Sequence, residues 1–359
     1  MSFTTTILQW FEENGRTLPW RETRDPYAIW LSEIILQQTR IEQGRPYWER
    51  FMRRWPTVEA LANASEDEVL REWQGLGYYS RARNLHTAAQ QVVAMGGFPT
   101  TIEGIKALKG VGDYTAAAIG SIAFDLPAAV VDGNVYRVLA RHYGITTPIN
   151  TTEGKKEFTA LAQELLPPQQ ASAFNQAMMD FGAIQCTPQS PLCEQCPLME
   201  SCVAFREGRI DELPVKQRTL KVKERQLTYI YIRCNGYTAI HRRPAGDIWQ
   251  GLYEPLLLEM RGEIATPHSD LWSEKLEVRE MLEALGILSP LTSHLSPLKK
   301  NVKHVLTHRI LYADFWLWET NERPQLPDDY FWIKEEEIGN YGVPRLIEIL
   351  LETLNTEQI

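Results

Sequence analysis

The sequence predicts two domains of different fold class: an all-α domain, followed by an α/β or α+β domain. Up to about residue 200, apolar residues recur at helical spacing in short segments, and no alternating strand pattern of any length interrupts them. After residue 226, runs rich in β-branched and aromatic residues predict strands. A chain of 359 residues is long enough for two such domains.

The first domain is predicted to be a series of short helices. They lie at residues 5–13, 26–40, 57–63, 66–73, 80–94, 102–108, 114–123, 135–143, 154–166 and 171–182. Asp25 is a favourable N-cap and Pro26 fits the first turn of the helix that follows. A second, mostly polar face of that helix carries Glu33, Leu36, Gln37 and Arg40. Taken alone, Glu33 is most simply a solvated helix glutamate.

The second domain is predicted at residues 227–359, after a first domain at 1–204 and a linker at 205–226. Its strands are predicted at 227–233, 237–241, 256–260 and 310–318, and its helices at 274–285 and 343–354. Residues 203–226 hold seven basic and four acidic side chains. This stretch is expected to run over the surface, either as a soluble connector or as a DNA contact.

Four cysteines fall within seventeen positions: Cys186, Cys193, Cys196 and Cys202. A chain of this length buries large cores without disulfides, so a disulfide framework does not explain the cluster. Four thiolates on one short loop form a metal-ligand set, which suits tetrahedral zinc and a [4Fe–4S] cluster equally well. The spacing therefore predicts a metal or iron–sulfur site and leaves both cofactors open.

Composition excludes some classes of protein and restricts others. The formal charge of −9 argues against a uniformly basic nucleic-acid binder, although a local basic surface remains compatible with it. No apolar run reaches the roughly eighteen residues of a membrane span, and the first residues lack the pattern of a signal peptide. Together with the clustered thiols, this predicts a protein of the reducing cytoplasm with no membrane partner. We also expect a monomer.

Two glycines one residue apart, Gly110 and Gly112, separate two predicted helices. Glycine permits a sharp turn and close approach of a phosphate, and the next helix begins near Asp113 with its free N–H groups outward. Such a helix–hairpin–helix holds a DNA backbone without reading bases, but a plain helix connector has the same pattern.

An aspartate also follows an apolar run at residues 128–131 and precedes a predicted helix. By position, Asp132 is either a helix cap or a partly buried functional carboxylate.

Six features occur together and in order: segments 31–39, 75–83, 108–116, 131–135 and 174–180, and the four cysteines. This set resembles the adenine DNA glycosylase (MutY) family of the endonuclease III superfamily, densely over residues 8–204 and more loosely beyond. The resemblance implies a [4Fe–4S] cluster on the cysteines. It also implies an enzyme that hydrolyses the N-glycosidic bond of adenine mispaired with 8-oxoguanine, or with guanine, in double-stranded DNA.

Matched position by position, Glu33 is implied as the general acid that protonates adenine. Asp132 is implied to stabilise the oxocarbenium-like sugar, with support from Tyr114 and Asn134. Such chemistry needs one carboxylic acid kept protonated by an apolar setting and one carboxylate kept ionised. Where relatives with lyase activity carry a Schiff-base lysine, this chain has Tyr114, so the resemblance implies a monofunctional glycosylase.

The resemblance also implies two sets of binding residues. The adenine, flipped out of the duplex, is implied to be held by Trp20, Arg21, Leu36 and Gln176. The residues implied to contact DNA are Gln37, Gln38, Tyr78, Gly110 and Gly112. Of these, Gln38 and Tyr78 are implied to fill the base stack and to separate the strands.

In the second domain, residues 279–287 match the end of a Nudix box only in part. Ala284 replaces a glutamate of that motif, and its upstream glycine and glutamate fall at Ala265 and Leu271. Because the glutamates hold the divalent metal, we expect a Nudix-like fold without hydrolysis. The resemblance implies that this domain reads 8-oxoguanine. The loop that does so carries Phe-Ser-His in relatives, and the matching residues here are Leu306, Thr307 and His308.

Three classes of function are therefore compared: a base-excision enzyme, a Nudix-type pyrophosphohydrolase with an added helical domain, and a DNA-binding protein without catalysis. Ala284 and Leu271 disfavour the second class. The presence of both Glu33 and Asp132 disfavours the third.

Overall fold

The computed structural model describes residues 1–217, 222–258, 278, 280, 282, 283, 287 and 294–356. The chain divides into two compact units, the first formed by Met1–Ala64 with Arg83–Arg218 and the second by Ser65–Ala82 with Thr219–Ile359. The second unit thus takes one segment from within the predicted first domain. Within the described ranges, none of the helices has the length and hydrophobicity that crossing a membrane would require.

The helices up to residue 206 match most of the predicted ones. They are α1 (Phe3–Asn14), α2 (Pro26–Leu36), α3 (Ile41–Arg54), α4 (Val58–Ala62), α5 (Glu66–Glu72), α6 (Ser80–Ala94), α7 (Ile102–Lys106), α8 (Asp113–Phe124), α9 (Gly133–Tyr143), α10 (Thr152–Leu165), α11 (Ala171–Asp180) and α12 (Val203–Arg206). In the first unit, α1, α9, α10 and α11 enclose one apolar core, in which Phe158, Phe174 and Phe181 are almost completely buried.

One prediction about these helices was wrong, and one helix was missed. The helix that begins at Pro26 ends at Leu36 instead of residue 40, because Gln38 has a left-handed backbone with φ 56°. Gln37 and Arg40 therefore do not lie on the helix face assigned to them. The helix Ile41–Arg54 was not predicted at all, since Pro46 stands inside it and its buried stripe is narrow.

Part of the predicted surface linker packs inside the first unit. Leu213 is only 2% exposed within the first apolar core, and Arg141 donates from Nε to the carbonyls of Ile210 and Leu213 at 3.1 Å each. The first strand of the second unit begins at Lys223, within the predicted linker.

In the described part of the second unit, seven strands form one mixed sheet. Its strands are β1 (Lys223–Cys234), β2 (Tyr237–Arg242), β3 (Tyr253–Glu254), β4 (Leu256–Leu258), β5 (His294–Val305), β6 (Arg309–Thr320) and β7 (Tyr330–Lys334), and the C-terminal helix is α13 (Arg345–Thr356). The order is β3-β2-β1-β6-β5, with β4 also paired to β1 and β7 to β2. Strands β1 and β6 are parallel, and both sheet faces bury apolar side chains.

The sequence pattern missed β3, β5 and β7. In β5, exposed lysines and Pro297 obscure the alternation that marks a strand. The predicted strand at 256–260 is described only as far as Leu258. The predicted helix at 274–285 lies mostly outside the described residues, as do Ala265, Leu271 and Ala284.

Candidate active site and cluster loop

One cavity of about 350 Å³ in the first unit brings together the predicted catalytic and adenine-binding residues. Its lining includes Trp20, Arg21, Glu33, Leu36, Tyr114, Asp132, Asn134 and Gln176. Trp20 and Arg21 come from a short turn before α2, and Gln176 comes from α11. Segments distant in sequence thus place all eight residues around a single space.

Glu33 is a buried carboxyl group on an almost entirely buried helix. Tyr27 through Ile35 of α2 all lie in the interior, and Glu33 itself is 9% exposed. Its Oε2 accepts a hydrogen bond of 2.7 Å from the hydroxyl of Tyr114. Burial raises the pKa of Glu33 to about 7, although the hydrogen bond from Tyr114 acts in the opposite direction. The simpler interpretation, a solvated glutamate, does not hold.

Asp132 is the N-cap of α9 and faces the same cavity. Its Oδ1 accepts from the backbone N–H groups of Asn134 (2.9 Å) and Val135 (2.8 Å), and its Oδ2 accepts from the Asn134 amide at 2.7 Å. Burial raises the pKa of Asp132, and these hydrogen bonds oppose the rise. The two readings of Asp132 are compatible, because it caps a helix and lines the cavity.

The two residues predicted to support Asp132 differ in their contacts. Asn134 bonds it directly, as described above. The hydroxyl of Tyr114 donates to Glu33 instead, although Tyr114 also lines the cavity. The hydroxyl of Tyr114 therefore bonds the predicted acid, Glu33, and not Asp132.

Asp180 positions Arg21 and was not singled out by the sequence. Its side chain is completely buried and accepts two hydrogen bonds from the Arg21 guanidinium, at 2.7 and 2.8 Å. Arg16 adds bonds of 2.9 Å from Nε and from its backbone N–H. Burial acts to raise the pKa of Asp180, but the hydrogen bonds from Arg21 and Arg16 outweigh it and lower the pKa. Only the segment 174–180 of the family resemblance pointed to this residue.

Arg137 joins the turn that carries Asp132 to the cysteine loop. Its Nη2 donates to Asn134 Oδ1 at 2.9 Å, and its Nε donates to the carbonyl of Cys186 at 2.6 Å. The chain also passes very close to Asn134 at Gly182, where a Cβ atom would lie 2.5 Å from that of Asn134. No local sequence signal marked Arg137, which lies inside a regular helix.

The four clustered cysteines line one small cavity of about 30 Å³. Burial raises the pKa of Cys196 to about 11, and the neighbouring thiols add to the rise. Thiolates crowded in this way require positive charge, which a metal centre supplies. The side chain of Arg141 reaches Cys186 Sγ at 3.5 Å. Within the described residues, no three His, Cys, Asp or Glu side chains are arranged around a single ion position. The four thiols therefore fit a shared cationic cofactor in charge and line one cavity, but in the described residues they do not converge on a single ion position.

The predicted hairpin lies between α7 and α8. Gly110 has φ 78°, and a Cβ atom there would lie 2.6 Å from that of Asn84, so the turn requires glycine. Gly112 is the exposed N-cap of α8 and provides no side-chain cap. The first N–H groups of α8 are therefore available to an anion.

Gln37 and Gln38 lie in the turn that follows α2. The amide of Gln37 donates to Thr115 Oγ1 at 3.2 Å. Gln38 is exposed. Neither residue lines the cavity.

Leu306, Thr307 and His308 form the turn between β5 and β6 in the second unit. Thr307 and His308 are exposed. Tyr78, which belongs to the same unit, is 49% exposed, has φ 48°, and shares a hydrogen bond of 2.5 Å between its hydroxyl and Thr307 Oγ1. The turn predicted to read the lesion thus meets the tyrosine predicted to enter the base stack.

Three parts of the chain match known families. Residues 31–168 match the HhH-GPD superfamily of base excision DNA repair proteins, 186–202 the iron–sulfur binding domain of endonuclease III, and 228–353 the NUDIX domain. The fold resembles that of a thermostable thymine-DNA glycosylase, with TM-score 0.54 and 33% identity, over 57% of this chain and 95% of that one. A trapped endonuclease III–DNA covalent intermediate gives TM-score 0.51 at 22% identity, over 57% of this chain and 94% of that one, and supports the fold alone.

Among curated relatives, an adenine DNA glycosylase of Buchnera aphidicola subsp. Baizongia pistaciae is 34% identical over 88% of this chain and 86% of its own length. The human adenine DNA glycosylase is 45% identical over 59% of this chain and 41% of its own. The chain spans about half of the rat relative, at 47% of its length.

Fold and site thus define a base excision DNA repair protein with an iron–sulfur loop and a Nudix-like domain. More particularly, the chain belongs to the adenine DNA glycosylase family. The iron–sulfur match also decides between the two cofactors that the cysteine spacing left open: the cysteine loop binds a [4Fe–4S] cluster.

Proposed function

We propose that this protein hydrolyses the N-glycosidic bond of adenine mispaired with 8-oxoguanine or guanine in double-stranded DNA, without cutting the strand. The observation that carries the proposal is the pair Glu33 and Asp132 on one cavity. One of these carboxyl groups is buried with a pKa of about 7, and the other is held by three N–H donors.

Glu33 supplies the proton in this proposal. Adenine leaves poorly as an anion, so protonation of a ring nitrogen lowers the barrier to bond cleavage. With a pKa near 7, Glu33 is partly protonated at neutral pH and gives up its proton readily. The Tyr114 hydroxyl, 2.7 Å from Glu33 Oε2, stabilises the carboxylate that remains.

Asp132 stabilises the positive charge that develops on the sugar as the base departs. The N–H donors of Asn134 and Val135 favour its ionised form against burial. Because Arg137 fixes Asn134, and Asn134 fixes Asp132, the carboxylate is positioned before the substrate arrives.

The cavity has the dimensions of a binding pocket for a flipped base. Its volume of about 350 Å³ lies in the usual range of ligand sites, and a base must leave the duplex for its glycosidic bond to be reached. Trp20 provides an aromatic surface, and Gln176 provides an amide for the edge of the base. Arg21, held by Asp180, provides a fixed cation.

Tyr114 supports a monofunctional reaction. A Schiff base with the abasic sugar requires an amine, and a phenol hydroxyl cannot form one. Tyr114→Lys should place an amine at this position and yield a complex that borohydride traps on the abasic product. Wild-type protein should yield none. Trapping of the wild type would contradict the monofunctional mechanism.

We assign lesion reading to the turn Leu306–Thr307–His308 of the Nudix-like unit. The exposed imidazole and hydroxyl can hydrogen-bond the lesion base or its phosphate, and Tyr78 adds an aromatic ring beside them. Thr307→Ala with His308→Ala should weaken excision opposite 8-oxoguanine. The loss of transition-state stabilisation should be about 1–3 kcal/mol, the usual contribution of a base contact. Excision opposite guanine, at the same salt concentration, is the control and should change much less.

The central test is release of adenine under single-turnover conditions from a duplex containing adenine opposite 8-oxoguanine. Duplexes with thymine or cytosine opposite the lesion serve as controls. We expect adenine release and intact strands. Absence of adenine release from protein that contains its cluster would overturn the proposal.

A further inference from the structure

The loop between β2 and β3 contacts both strands that flank the turn proposed to read the lesion, at residues 306–308. The Trp249 ring of this loop lies 6.0 Å, between centroids, from the ring of His304 near the end of β5. The Asp247 carboxylate of the same loop accepts a hydrogen bond of 3.1 Å from the guanidinium of Arg309, the first residue of β6. The loop therefore holds the chain shortly before the turn and directly after it.

Asp247 binds guanidinium groups from three segments of the second unit. Its two oxygens accept from Arg225 of β1 at 2.8 and 2.7 Å, and Oδ2 also accepts from Arg243 at 2.7 Å. Arg243 has a second carboxylate partner, Glu254. Within the described ranges, Arg309 pairs with no carboxylate other than Asp247. Loss of the Asp247 charge would therefore release Arg309 while Arg243 kept an acidic partner.

Arg225 and Arg309 lie on one face of the sheet. β1 and β6 pair in unbroken parallel register, with Arg225 opposite Leu311. Arg309 precedes Leu311 by two residues, and side chains at that spacing share a face. That face carries an apolar core of the unit, in which Leu311 is completely buried. Asp247 thus joins two neighbouring strands on their core-bearing face, close to where each strand begins.

The side chains proposed to read the lesion are exposed, so other groups have to fix their position. Thr307 and His308 both face solvent. The N–H of Lys223 donates to the carbonyl of His308 at 3.2 Å, which attaches the backbone of the turn to β1. Binding residues that are fixed before the ligand arrives lose less conformational entropy when they bind. The bond from Asp247 to Arg309 supplies such support from outside the turn.

We propose that Asp247 is a positioning residue for recognition of 8-oxoguanine, because it holds Arg309 and thereby the turn Leu306–His308. This inference rests on the proposed function, which assigns lesion reading to that turn. Asp247 acts through Arg309, so its loss should weaken discrimination between 8-oxoguanine and guanine and leave the chemistry at Glu33 unchanged. A network that only stabilised the unit would lower the free energy of unfolding without changing this discrimination.

The test compares adenine release opposite 8-oxoguanine with release opposite guanine, under single-turnover conditions below saturation and at one salt concentration. Asp247→Asn keeps the size of the side chain and removes its charge. It should lower the preference for 8-oxoguanine by roughly five- to tenfold, within the range shown by coupled residues of one network. Arg309→Met should lower this preference by a similar factor. The double variant should lose no more than Arg309→Met alone, because both changes remove the same contact.

Glu254→Gln is the matched control. It removes the other carboxylate bonded to Arg243. It leaves the bond between Asp247 and Arg309 in place. The free energy of unfolding should therefore fall, while the preference for 8-oxoguanine stays the same. Arg309 is 38% exposed, so Arg309→Met tests the contact even if Asp247→Asn does not fold.

An unchanged preference in Asp247→Asn or in Arg309→Met would overturn the inference. An equal loss of preference in Glu254→Gln would also overturn it, because the network would then act through stability. So would a further loss in the double variant, since Asp247 would then act independently of Arg309. Failure of the proposed function is separate. It would appear as absent adenine release by the wild type, or as an unchanged preference in the variant with Thr307→Ala and His308→Ala.

Discussion

Each of the two units buries a carboxyl group almost completely, and the two groups differ in the partners that bond them. In the first unit, Glu33 is 9% exposed and accepts one hydrogen bond, from Tyr114. In the second, Glu254 is 1% exposed and accepts from Arg243 Nη1 at 2.6 Å on both oxygens and from the Tyr229 hydroxyl at 2.9 Å. His241 Nε2 lies 3.0 Å from the same carboxylate.

Asp247, which lies next to that network, shows how strongly hydrogen-bond partners change the pKa of a carboxyl group. Burial acts to raise the pKa of Asp247, but paired hydrogen bonds from Arg225, with Arg243 close by, lower it far below its usual value. Among the described residues, no cation is bonded to the Glu33 carboxyl group, and its pKa rises to about 7. Arginine partners thus keep the Asp247 carboxyl ionised, whereas the buried Glu33 carboxyl, bonded by the Tyr114 phenol, keeps a proton that it can transfer.

The largest expected effect is on catalysis in the first unit. Glu33→Gln keeps the shape of the side chain but cannot deliver a proton, so adenine release should fall by at least roughly 100-fold. Affinity for the mismatched duplex should persist. Single-turnover rates and binding isotherms on the same duplex measure the two quantities. A rate within about tenfold of wild type would remove Glu33 from the role of acid.

The matching change in the second unit should damage stability. Glu254→Gln removes one of the two carboxylates that bond the buried Arg243 guanidinium and leaves Asp247 at 2.7 Å, so the cost should lie below the about 3–5 kcal/mol of an uncompensated buried charge. Denaturant unfolding should therefore show a lower free energy of unfolding for this variant. If Glu254→Gln is tolerated as well as Glu33→Gln, the distinction between a structural and a functional carboxylate fails.

The pH dependence of the wild type provides a third test. Since Glu33 must be protonated to act as the acid, the rate should fall as pH rises through about 7. The free energy of unfolding should also fall as pH rises, because the pKa of Glu33 in the folded state lies above its ordinary value of 4.5. The contribution of Glu33 to stability is fully present below pH 4.5 and is lost as pH rises through about 7.

Glu33→Gln should cancel this loss of stability. Relative to wild type, the variant should gain up to about 3 kcal/mol of stability at pH 8, at about 1.4 kcal/mol per pKa unit, and little at pH 4. Equal stability of the two proteins at both pH values would contradict the raised pKa.

The smallest expected effect comes from Tyr114→Phe, which removes the only hydrogen bond described for the Glu33 carboxyl. Because that bond lowers the pKa of Glu33, its loss should move the alkaline limb of the pH–rate profile upward. The rate at low pH should change little. A limb that moves downward would show that Tyr114 stabilises the protonated form instead.

Local pattern was sufficient to predict much of this protein. The helices of the first unit, the cap at Asp25, the glycine turn at Gly110 and the cysteine loop each depend on residues close in sequence. Such features are determined by side-chain periodicity and backbone conformation, which a short window of sequence contains. Family resemblance added roles for Glu33 and Asp132 that the pattern alone left ambiguous.

Tertiary structure decided the properties that make the site chemically distinct. Glu33 and Tyr114 meet across 81 residues, Arg21 and Asp180 across 159, and Tyr78 and Thr307 across 229. The pKa of a carboxyl group depends on which distant groups surround it and on how much water they exclude, and no short segment contains that information. The same reason explains why Arg137 and Asp180 went unnoticed, and why residues 65–82 fold with the second unit.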